Sequence, residues 1–565
     1  MLQKTRAHLS TRRARIVVLC VTAIVGLTIL RLFFIQILHH KRYNDLAKRQ
    51  QNLKVDAQPR RGDIYFQNKD GTTLTAATTK QGFLLYLNTR ALGEPEETYT
   101  ALNAITPIDK NIFTKAAAKQ NDPYEIVKRR LTSAEAEKVK TENLAGVGLQ
   151  EEKWRFYPGE TLGSHVIGFV STPNDVAEGK YGIEKYLDSM LSGNATKKTS
   201  EGGGFLETLK KQFEREPEAG ANIALTIEPA VQRFLETEIK KAAEIWRPDS
   251  GGILILEPKT GKIVGMTAFP TYDPNEYYKE TDLEVFLNPF VEKIFELGSV
   301  FKPLTMAAAI DRGAITPETT YVDKGEVKVG VATIKNFDGK ARGLRSMTQV
   351  LEESLNTGAV FAMQQLGGER LREYFINFGL GEKTNIDLPG EIKGDISNLK
   401  SGREVEFATA SFGQGIAVTP IELAMALASL ANEGKLMRPY VIATEPSLAP
   451  KAVRQVVSPE AAAAVSRMLV DVVDTSLAGG KAKIPGYSIA AKTGTAQIPK
   501  ESGAGYSEDF LHSFFGYFPA YDAKFLIFMF LERPRGAIYA SHTLTDPFIN
   551  TVRFLINYYT IPPDR

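Results

Sequence analysis

Two strand hairpins at opposite ends of a helical stretch restrict the fold more than any other feature of this sequence. The first lies within GGILILEPKTGKIVGMTAF, where two apolar runs flank a Pro-Lys-Thr-Gly turn. The second lies within HSFFGYFPAYDAKFLIFMFLERP and is predicted to turn at Ala520–Lys524. Between them the patterns are helical, as in SPEAAAAVSRMLVDVVD. Hairpins at both ends of a helical middle indicate an antiparallel sheet covered by helices, an α+β fold.

The length of the chain and its changes in texture predict more than one domain. Its 565 residues exceed one compact domain, so two or three are expected. Residues 53–190 mix strand-like runs with charged stretches predicted to be helical, such as DPYEIVKRRLTSAEAEKVKTE. Residues 192–222 are rich in Gly, Lys and Glu and are predicted to be a linker or a flexible hairpin. From Ile223 a short strand and an amphipathic helix lead into the first hairpin.

The N-terminus carries a basic segment followed by an apolar one. Residues 1–15 contain five Lys or Arg side chains and no acid, and residues 16–38 form a 23-residue apolar stretch long enough to span a bilayer. A cleaved signal peptide is the alternative, but no small-x-small cleavage site follows the apolar stretch. The basic flank predicts a cytoplasmic tail, a single membrane anchor over residues 16–38, and an extracytoplasmic remainder.

Composition and motifs exclude several classes of function. The net charge of +3, without a Lys/Arg stripe beyond the N-terminus, gives no support for a nucleic-acid partner. One cysteine, Cys20, allows neither a disulfide framework nor a Cys-based metal site, and no His-x-x-x-His spacing occurs. Phosphate-binding glycine loops and a Gly-x-Ser-x-Gly elbow are also missing from the sequence. Neither a metal nor a nucleotide is therefore expected.

Serine–lysine acyl transfer is a class of reaction that these exclusions leave open, and each of its sequence elements occurs twice in the chain. The chemistry needs a hydroxyl nucleophile, an amine base, a proton relay and donors for an oxyanion. Its signature is Ser-x-x-Lys, then Ser-x-Asn, then Lys-Thr-Gly. The candidates are Ser299–Lys302 and Ser397–Lys400, Ser192–Asn194 and Ser354–Asn356, and Lys259–Gly261 and Lys492–Gly494. Spacing alone does not separate one copy from the other.

Order along the chain and local context remove half of these candidates. No Ser-x-Asn follows Ser397, and its segment is predicted to be a loop without a helix to align Lys400. Lys259 is predicted to be solvated, because it lies in a hairpin turn between two apolar strands. Ser192 opens the flexible stretch, where nothing holds a fixed geometry. The ordered triple that remains consists of Ser299–Lys302, Ser354–Asn356 and Lys492–Gly494.

Each element of this triple has a context that suits the chemistry. Pro303 is tolerated only in the first turn of a helix, so a helix is predicted to begin close to Ser299, at its positive end. Ser354 is expected near a helix end, pointing into a cleft. Lys492 follows an apolar run and is expected on a strand, where Gly494 would leave room for a ligand backbone.

At these residues the sequence resembles the class B penicillin-binding proteins, which are membrane-anchored peptidoglycan D,D-transpeptidases. The resemblance covers almost the whole chain after the predicted anchor. It implies a non-catalytic pedestal or dimerisation domain over residues 39–222 and a β-lactamase-like transpeptidase domain over residues 223–565. The chain is more similar to the division-type (FtsI-like) members than to the elongation-type ones. The segments that carry this preference are SLNTG, FGLGEKTNIDLPGE and the GQG–TP segment. Other shared motifs are Arg61-Gly62-x-Ile64, Arg155–Pro158, Gly182–Tyr186, Tyr272–Asn275 and Gly413–Gly415.

The resemblance also implies a role for each residue of the triple. Ser299 would attack the penultimate D-Ala carbonyl of a stem peptide, with Lys302 as the general base, buried beside its serine. Ser354 would relay the proton to the leaving D-Ala, with Lys492 supplying positive potential. The residues expected to bind substrate are Asn356, Thr493, Gly494 and Thr495. The backbone N–H groups of Ser299 and Thr495 would form the oxyanion hole, and no cofactor is implied.

Three departures from the family pattern stand out. Leu297 occupies a position where the family often has proline, and Leu355 is bulkier than the usual Ser or Cys. Both are expected to reshape the rim of the cleft. The Arg61 motif continues as YFQNKDG, which is longer than usual and predicts altered contacts in the pedestal.

The implied partners follow from the same resemblance. They are stem peptides of lipid II-derived strands, β-lactams as inhibitors, other division proteins and a SEDS-type membrane glycosyltransferase, since the pedestal has no glycosyltransferase motif. Arg31 in the predicted anchor either reaches the membrane surface or contacts such a partner. The alternatives left open are an elongation-type enzyme, a β-lactamase or β-lactam sensor, and a catalytically weak scaffold.

Overall fold

The computed structural model describes most of the chain after residue 59. The described ranges are 18–19, 21–28, 60–119, 122–172, 177–193, 219–443, 450–500 and 505–565, together with residues 31 and 33. Residues 61–199 and 220–565 form one compact unit, and the remaining residues form a second, mostly outside the described ranges. No helix among the described residues is long and apolar enough to cross a bilayer. Within the predicted anchor, residues 18–19, 21–28, 31 and 33 are described and helical, while its other positions and most of the predicted linker lie outside the described residues.

The N-terminal part of the unit is built on a twisted sheet with helices beside it. The elements are β1 (Ile64–Gln67), β2 (Thr73–Leu87), α1 (Pro95–Ile105), α2 (Lys110–Ala117), β3 (Glu125–Leu131), α3 (Ser133–Glu142), β4 (Val147–Phe156), α4 (Ser164–Ile167), β5 (Val170–Ser171), β6 (Glu178–Gly179), α5 (Gly182–Tyr186), α6 (Asp188–Leu191) and β7 (Ile223–Ala224). Among the described strands the order is β3-β2-β1-β7, and β4 also pairs with β2. Strand β7, just after the predicted linker, pairs in parallel with β1, so this sheet takes in the first residues of the predicted catalytic domain.

The charged stretch DPYEIVKRRLTSAEAEKVKTE was predicted to be helical, and its first half is a strand. Strand β3 pairs with β2 and buries Val127 and Leu131 in the core of this part. Pairing with a neighbouring strand and burial of alternate apolar residues outweigh the weak helical preference of the charged residues. The second half is helix α3, which begins with a reciprocal capping box between Thr132 and Glu135.

A buried ion network joins three of the shared motifs in this part. Glu184 has no exposed surface, and its carboxylate accepts from Arg61 Nε at 2.7 Å and from Arg155 Nε at 2.6 Å. Arg61 also pairs with Asp188 at 2.8 Å. The network connects the residues before β1, the end of β4 and helix α5, so it holds the pedestal in one arrangement.

Removal of the central carboxylate is expected to destabilise the protein strongly. Glu184→Gln leaves the buried Arg155 guanidinium without its Glu184 counter-charge and Arg61 paired with Asp188 alone, which costs about 3–5 kcal/mol of unfolding free energy. Urea denaturation followed by the fluorescence of the two tryptophans, Trp154 on β4 and Trp246 at the end of a later helix, measures the change. The control is Glu178→Gln, since Glu178 forms an exposed pair with Lys180, worth less than about 1 kcal/mol. Equal stability of the two variants would contradict this prediction.

The C-terminal part contains a second sheet with helices on both faces. Its elements are α7 (Pro229–Trp246), β8 (Ser250–Leu256), β9 (Ile263–Phe269), α8 (Pro289–Glu292), α9 (Lys302–Asp311), β10 (Thr320–Asp323), β11 (Glu326–Val329), β12 (Ala332–Lys335), β13 (Gly343–Ser346), α10 (Met347–Glu352), α11 (Asn356–Leu366), α12 (Gly368–Asn377), α13 (Glu404–Ala410), α14 (Pro420–Leu430), β14 (Lys435–Met437), β15 (Ala452–Gln455), α15 (Pro459–Asp471), β16 (Ala490–Pro499), β17 (Tyr506–Phe518), β18 (Phe525–Glu532), α16 (Ala540–Thr543) and α17 (Thr545–Tyr559). Among the described strands the sheet order is β16-β17-β18-β8-β9.

The predicted α+β architecture is confirmed in this part. All neighbouring strands of the sheet are antiparallel, and the predicted hairpins are β8–β9 and β17–β18. Alternate residues of β18 point to opposite faces. Ile527 and Met529 pack in the cluster that contains residues of α7 and α17, whereas Phe528 and Phe530 pack in the cluster that contains residues of α9 and α14. Strand β16 is at the edge, so one side of its backbone is unpaired among the described strands.

Candidate active site

The predicted nucleophile lies on a short turn at the start of a buried helix. Ser299 belongs to a 3₁₀ turn, Gly298–Phe301, that runs directly into α9 at Lys302. Pro303 occupies the first turn of α9, as predicted from its missing N–H. Gly298 has a φ of 65° and donates its N–H to the Gly413 carbonyl at 3.1 Å, so the turn is anchored to the glycine-rich segment. Ser299 thus lies at the positive end of α9.

The predicted base is fully buried one turn after the serine. Lys302 has no exposed surface, and its Nζ donates to the Ser354 carbonyl at 2.6 Å and lies 3.2 Å from Ser354 Oγ. Burial, together with repulsion from the nearby Lys492, holds the pKa of Lys302 well below its ordinary value. No carboxylate is among the causes of this shift, so a neutral amine is favoured. A neutral amine can accept a proton, which a charged ammonium cannot.

The second serine lies in a break between two helices. Ser354 was expected near a helix end, and it follows the end of α10 at Glu352 and precedes the start of α11 at Asn356. Ser354 has a φ of 55°, in the left-handed region, which costs a non-glycine residue about 1–3 kcal/mol. This conformation directs Ser354 Oγ to a position between two lysines, 3.2 Å from Lys302 Nζ and 2.9 Å from Lys492 Nζ.

The strand lysine is the third member of this group. Lys492 lies on β16, as predicted, and is almost completely buried. Its Nζ donates to Ser354 Oγ and also to the Thr493 carbonyl at 3.1 Å. Burial lowers the pKa of Lys492 to about 7. The helix lysine, the serine in the break and the strand lysine therefore form one hydrogen-bonded chain.

The low pKa of Lys492 predicts an alkaline decline in acylation. Above a pH of about 7 its amine is neutral and loses the positive charge that attracts an anionic substrate. The second-order rate constant for acylation by a carboxylate-bearing penicillin is expected to fall as pH rises through this value. In Lys492→Arg the guanidinium stays charged. The rate constant for acylation that this variant retains should therefore show no decline over the same pH range. The same decline in Lys492→Arg would contradict this assignment.

The predicted substrate-binding residues line the same region. Asn356 begins α11 and donates its side-chain amide to the Lys335 carbonyl at 3.0 Å. Thr493 and Thr495 are both partly exposed on the edge strand β16. Thr495 Oγ1 accepts the backbone N–H of Ala540 at 3.1 Å. The Ser299 N–H, at the start of a helical turn, has no partner within that turn.

The structure corrects three expectations about this region. The space beside Gly494 is filled by Ser513 Oγ and the Leu297 carbonyl, which would lie 2.2 and 2.6 Å from a Cβ there. Gly494 therefore makes room for the turn that holds Ser299, not for a ligand. Leu297 and Leu355 were expected to reshape the rim, but both are fully buried in the hydrophobic core. Their apolar side chains pack inward, where substitution changes core packing rather than the rim.

The second copies of the motifs lie elsewhere. Ser397 and Lys400 were predicted to lie in a loop without a helix, but they form a 3₁₀ turn, Ser397–Ser401, with Lys400 exposed. The hairpin turn predicted at Lys259 is confirmed, and its half-exposed amine pairs with Asp522. Asn194 of the other Ser-x-Asn lies outside the described residues.

Two aromatic residues near the site were missed by sequence reasoning. The rings of Phe337 and Tyr539 meet edge to face, with centroids 5.6 Å apart, and both are substantially exposed. Phe337 follows the Lys335 carbonyl that binds Asn356, and Tyr539 precedes the Ala540 N–H that binds Thr495. The pair therefore connects the two sides of the substrate region. Neither residue belongs to a recognisable motif, since the contact joins two distant loops.

The fold and this site define a serine–lysine acyltransferase. Residues 251–552 match the penicillin binding protein transpeptidase domain, and residues 56–225 match the penicillin-binding protein dimerisation domain. The chain belongs to the penicillin-binding protein transpeptidases. Within them it is a class B, FtsI-like member.

Relatives and solved structures agree with this membership. The chain is 30% identical over 562 residues to stage V sporulation protein D of Bacillus subtilis, covering 97% of this chain and 85% of the relative. It is 27% identical over 450 residues to peptidoglycan D,D-transpeptidase FtsI of Escherichia coli K12, covering 79% of this chain and 74% of the relative. Penicillin Binding Protein 2X from Streptococcus thermophilus has the same fold, with a TM-score of 0.70 and 21% identity over 89% of this chain and 81% of that one.

Proposed function

We propose that Ser299 is the nucleophile of this peptidoglycan D,D-transpeptidase and that Lys302 is its general base. The observation that carries the proposal is the position of Ser354 Oγ between the amines of Lys302 and Lys492, both buried and both with lowered pKa values. This arrangement supplies a route for a proton from the nucleophile to a leaving group.

The first half of the reaction is acylation. Ser299 Oγ attacks the penultimate D-Ala carbonyl of a stem peptide while its proton passes to the neutral Lys302 amine. The N–H groups of Ser299 and Thr495 stabilise the oxyanion of the tetrahedral intermediate. The C–N bond then breaks, and the proton returns through Ser354 to the leaving D-Ala nitrogen. An ester between Ser299 and the donor peptide remains.

The second half reverses these proton transfers with a different amine. An amino group of a neighbouring stem peptide attacks the ester carbonyl, the ester C–O bond breaks, and the proton of the amine passes along the same chain to Ser299 Oγ, which leaves the cross-link and the free serine. Lys492 keeps the positive potential that attracts the carboxylate end of the donor peptide. We assign contacts with that carboxylate to Thr493 and Thr495 on the open edge of β16. The amide of Asn356 pairs with the peptide backbone, and Gly494 contributes only by allowing the nucleophile turn to pack.

We propose the following organisation for the whole chain. Residues 1–15 are a cytoplasmic tail and residues 16–38 anchor the protein in the inner membrane. Residues 39–222 form the non-catalytic pedestal, and residues 223–565 form the extracytoplasmic transpeptidase domain. The apolar composition of the anchor and the match to the dimerisation domain support this division.

A septal role, with a SEDS-type glycosyltransferase and division proteins as partners, is our preferred biological setting. Its support is the likeness to FtsI-named relatives. An elongation role is the second candidate, and the septal or sidewall position of a fluorescent fusion distinguishes the two.

Covalent labelling with a reporter penicillin tests the proposed chemistry directly. We expect one adduct on the wild-type protein, mapped by peptide mass spectrometry to the peptide that contains Ser299. An adduct on Ser397, or none, would refute the assignment. Exchange of the terminal D-Ala of a stem peptide for another D-amino acid then measures turnover, and its absence from a labelled protein would indicate a scaffold or sensor.

A further inference from the structure

A buried histidine lies next to the carboxylate-binding edge of the sheet and takes no part in the proton chain. His512 on β17 is directly opposite Thr495 on β16, and it has no exposed surface. Side chains of directly opposite residues in an antiparallel pair lie on the same face of the sheet. The imidazole therefore lies beside the Thr495 side chain.

Both nitrogens of this ring are used by a single segment of the chain. His512 Nε2 is 3.0 Å from the Ile538 carbonyl oxygen, and Nδ1 is 2.9 Å from Thr543 Oγ1. A carbonyl oxygen can only accept, so Nε2 carries the hydrogen. Burial lowers the pKa of His512 to about 4, so the ring is neutral at pH 7 and Nδ1 accepts from the Thr543 hydroxyl. The ring therefore holds both ends of the segment 538–543.

The same segment controls the direction of the Thr495 hydroxyl. Between the two points held by His512, the Ala540 N–H donates to Thr495 Oγ1 at 3.1 Å. Because the hydroxyl oxygen accepts this bond, its own hydrogen is free to point elsewhere and to donate to a ligand. A shift of Ala540 would let the hydroxyl rotate and would remove a preorganised donor.

We infer that His512 is a positioning residue that keeps the Thr495 hydroxyl oriented as a donor to the substrate carboxylate, acting through the segment 538–543. This inference rests on the proposed role of Thr495 in carboxylate binding. It assigns to His512 an effect on recognition of the carboxylate, in addition to any contribution to stability.

The test compares acylation by benzylpenicillin with acylation by its methyl ester, which lacks the free carboxylate. In His512→Leu we expect the ratio of the two second-order rate constants to fall roughly 10-fold, because one charge-assisted hydrogen bond is lost. His512→Gln, which keeps a side-chain N–H for the Ile538 carbonyl, should restore part of the ratio. Thr495→Val should lower the ratio by a similar factor, and adding His512→Leu to it should lower it no further.

The matched control is another buried histidine remote from Thr495. His165 is also buried, and its Nε2 lies 3.0 Å from the Val285 carbonyl, so His165→Leu removes a comparable contact. It should leave the ratio unchanged even if it lowers the melting temperature. An unchanged ratio in folded His512→Leu would overturn the inference. If His512→Leu does not fold, Thr543→Val and His512→Gln provide the test instead. A wild-type ratio in both of these variants would overturn the inference.

Failure of the proposed function gives a different result. A wild-type protein without a penicillin adduct on Ser299 would refute the acylation chemistry itself. A wild-type protein that is acylated normally, with a ratio insensitive to position 512, would refute only the role of His512.

Discussion

Ser299→Ala is expected to reduce covalent labelling by a reporter penicillin to background, a loss of roughly 10⁴-fold or more in acylation rate. Without Oγ no ester can form, and the buried amine of Lys302 keeps only its contacts with Ser354. Ser299 is the one partly exposed residue of its turn, so the substitution should leave the melting temperature close to that of the wild type. Gel fluorescence against time measures the rate.

The chain offers a matched control for this experiment. Ser397→Ala changes the serine of the second Ser-x-x-Lys, whose Lys400 is exposed and therefore not held as a neutral base. Its labelling should equal that of the wild type. Persistent labelling of Ser299→Ala, or a loss confined to Ser397→Ala, would show that the nucleophile has been wrongly assigned.

Lys302→Met is expected to lower the acylation rate by about 10²–10⁴-fold, the range for removal of a general base. Methionine retains most of the buried apolar stem but has no amine to take the Ser299 proton. The Ser354 carbonyl loses its 2.6 Å donor and Ser354 Oγ keeps its contact with Lys492. The proton relay is therefore interrupted at its first step. Stopped-flow acylation by a chromogenic β-lactam measures the effect.

Two variants distinguish the loss of a general base from a general loss of packing. Lys400→Met, in the exposed second motif, should acylate at the wild-type rate. Lys302→Arg introduces a guanidinium that stays charged and cannot serve as a neutral base, so it should be as slow as Lys302→Met. Wild-type acylation in either Lys302 variant, with the protein folded, would rule out Lys302 as the base.

Local patterns in the sequence were sufficient to single out the residues that we propose as the reaction centre. Pro303 placed a helix start close to Ser299, because a missing N–H and a fixed φ constrain the chain wherever it folds. The alternation of apolar residues identified both hairpins of the central sheet, and the order of the three motifs excluded Ser397. These properties depend on neighbouring residues, which a sequence displays directly.

Tertiary structure decided everything that depends on residues distant in the chain. The stretch containing β3 became a strand because β2 was available to pair with it. Gly494 faces Ser513 and the Leu297 carbonyl, and Leu355 points into the core, although both had been assigned to the cleft. A helix end near Ser354 was expected, but the position of its hydroxyl between Lys302 and Lys492 depends on residues from other elements.

The sequence by itself thus determined the identity and order of the groups proposed to react, since the proposed nucleophile, base and relay are types of side chain at fixed local spacings. Only the fold decided the protonation state and the orientation of these groups. Burial of Lys302 and Lys492 lowers their pKa values, and His512 reaches the segment that orients Thr495. Desolvation and hydrogen-bond geometry arise from atoms brought together by packing, and no stretch of sequence contains them.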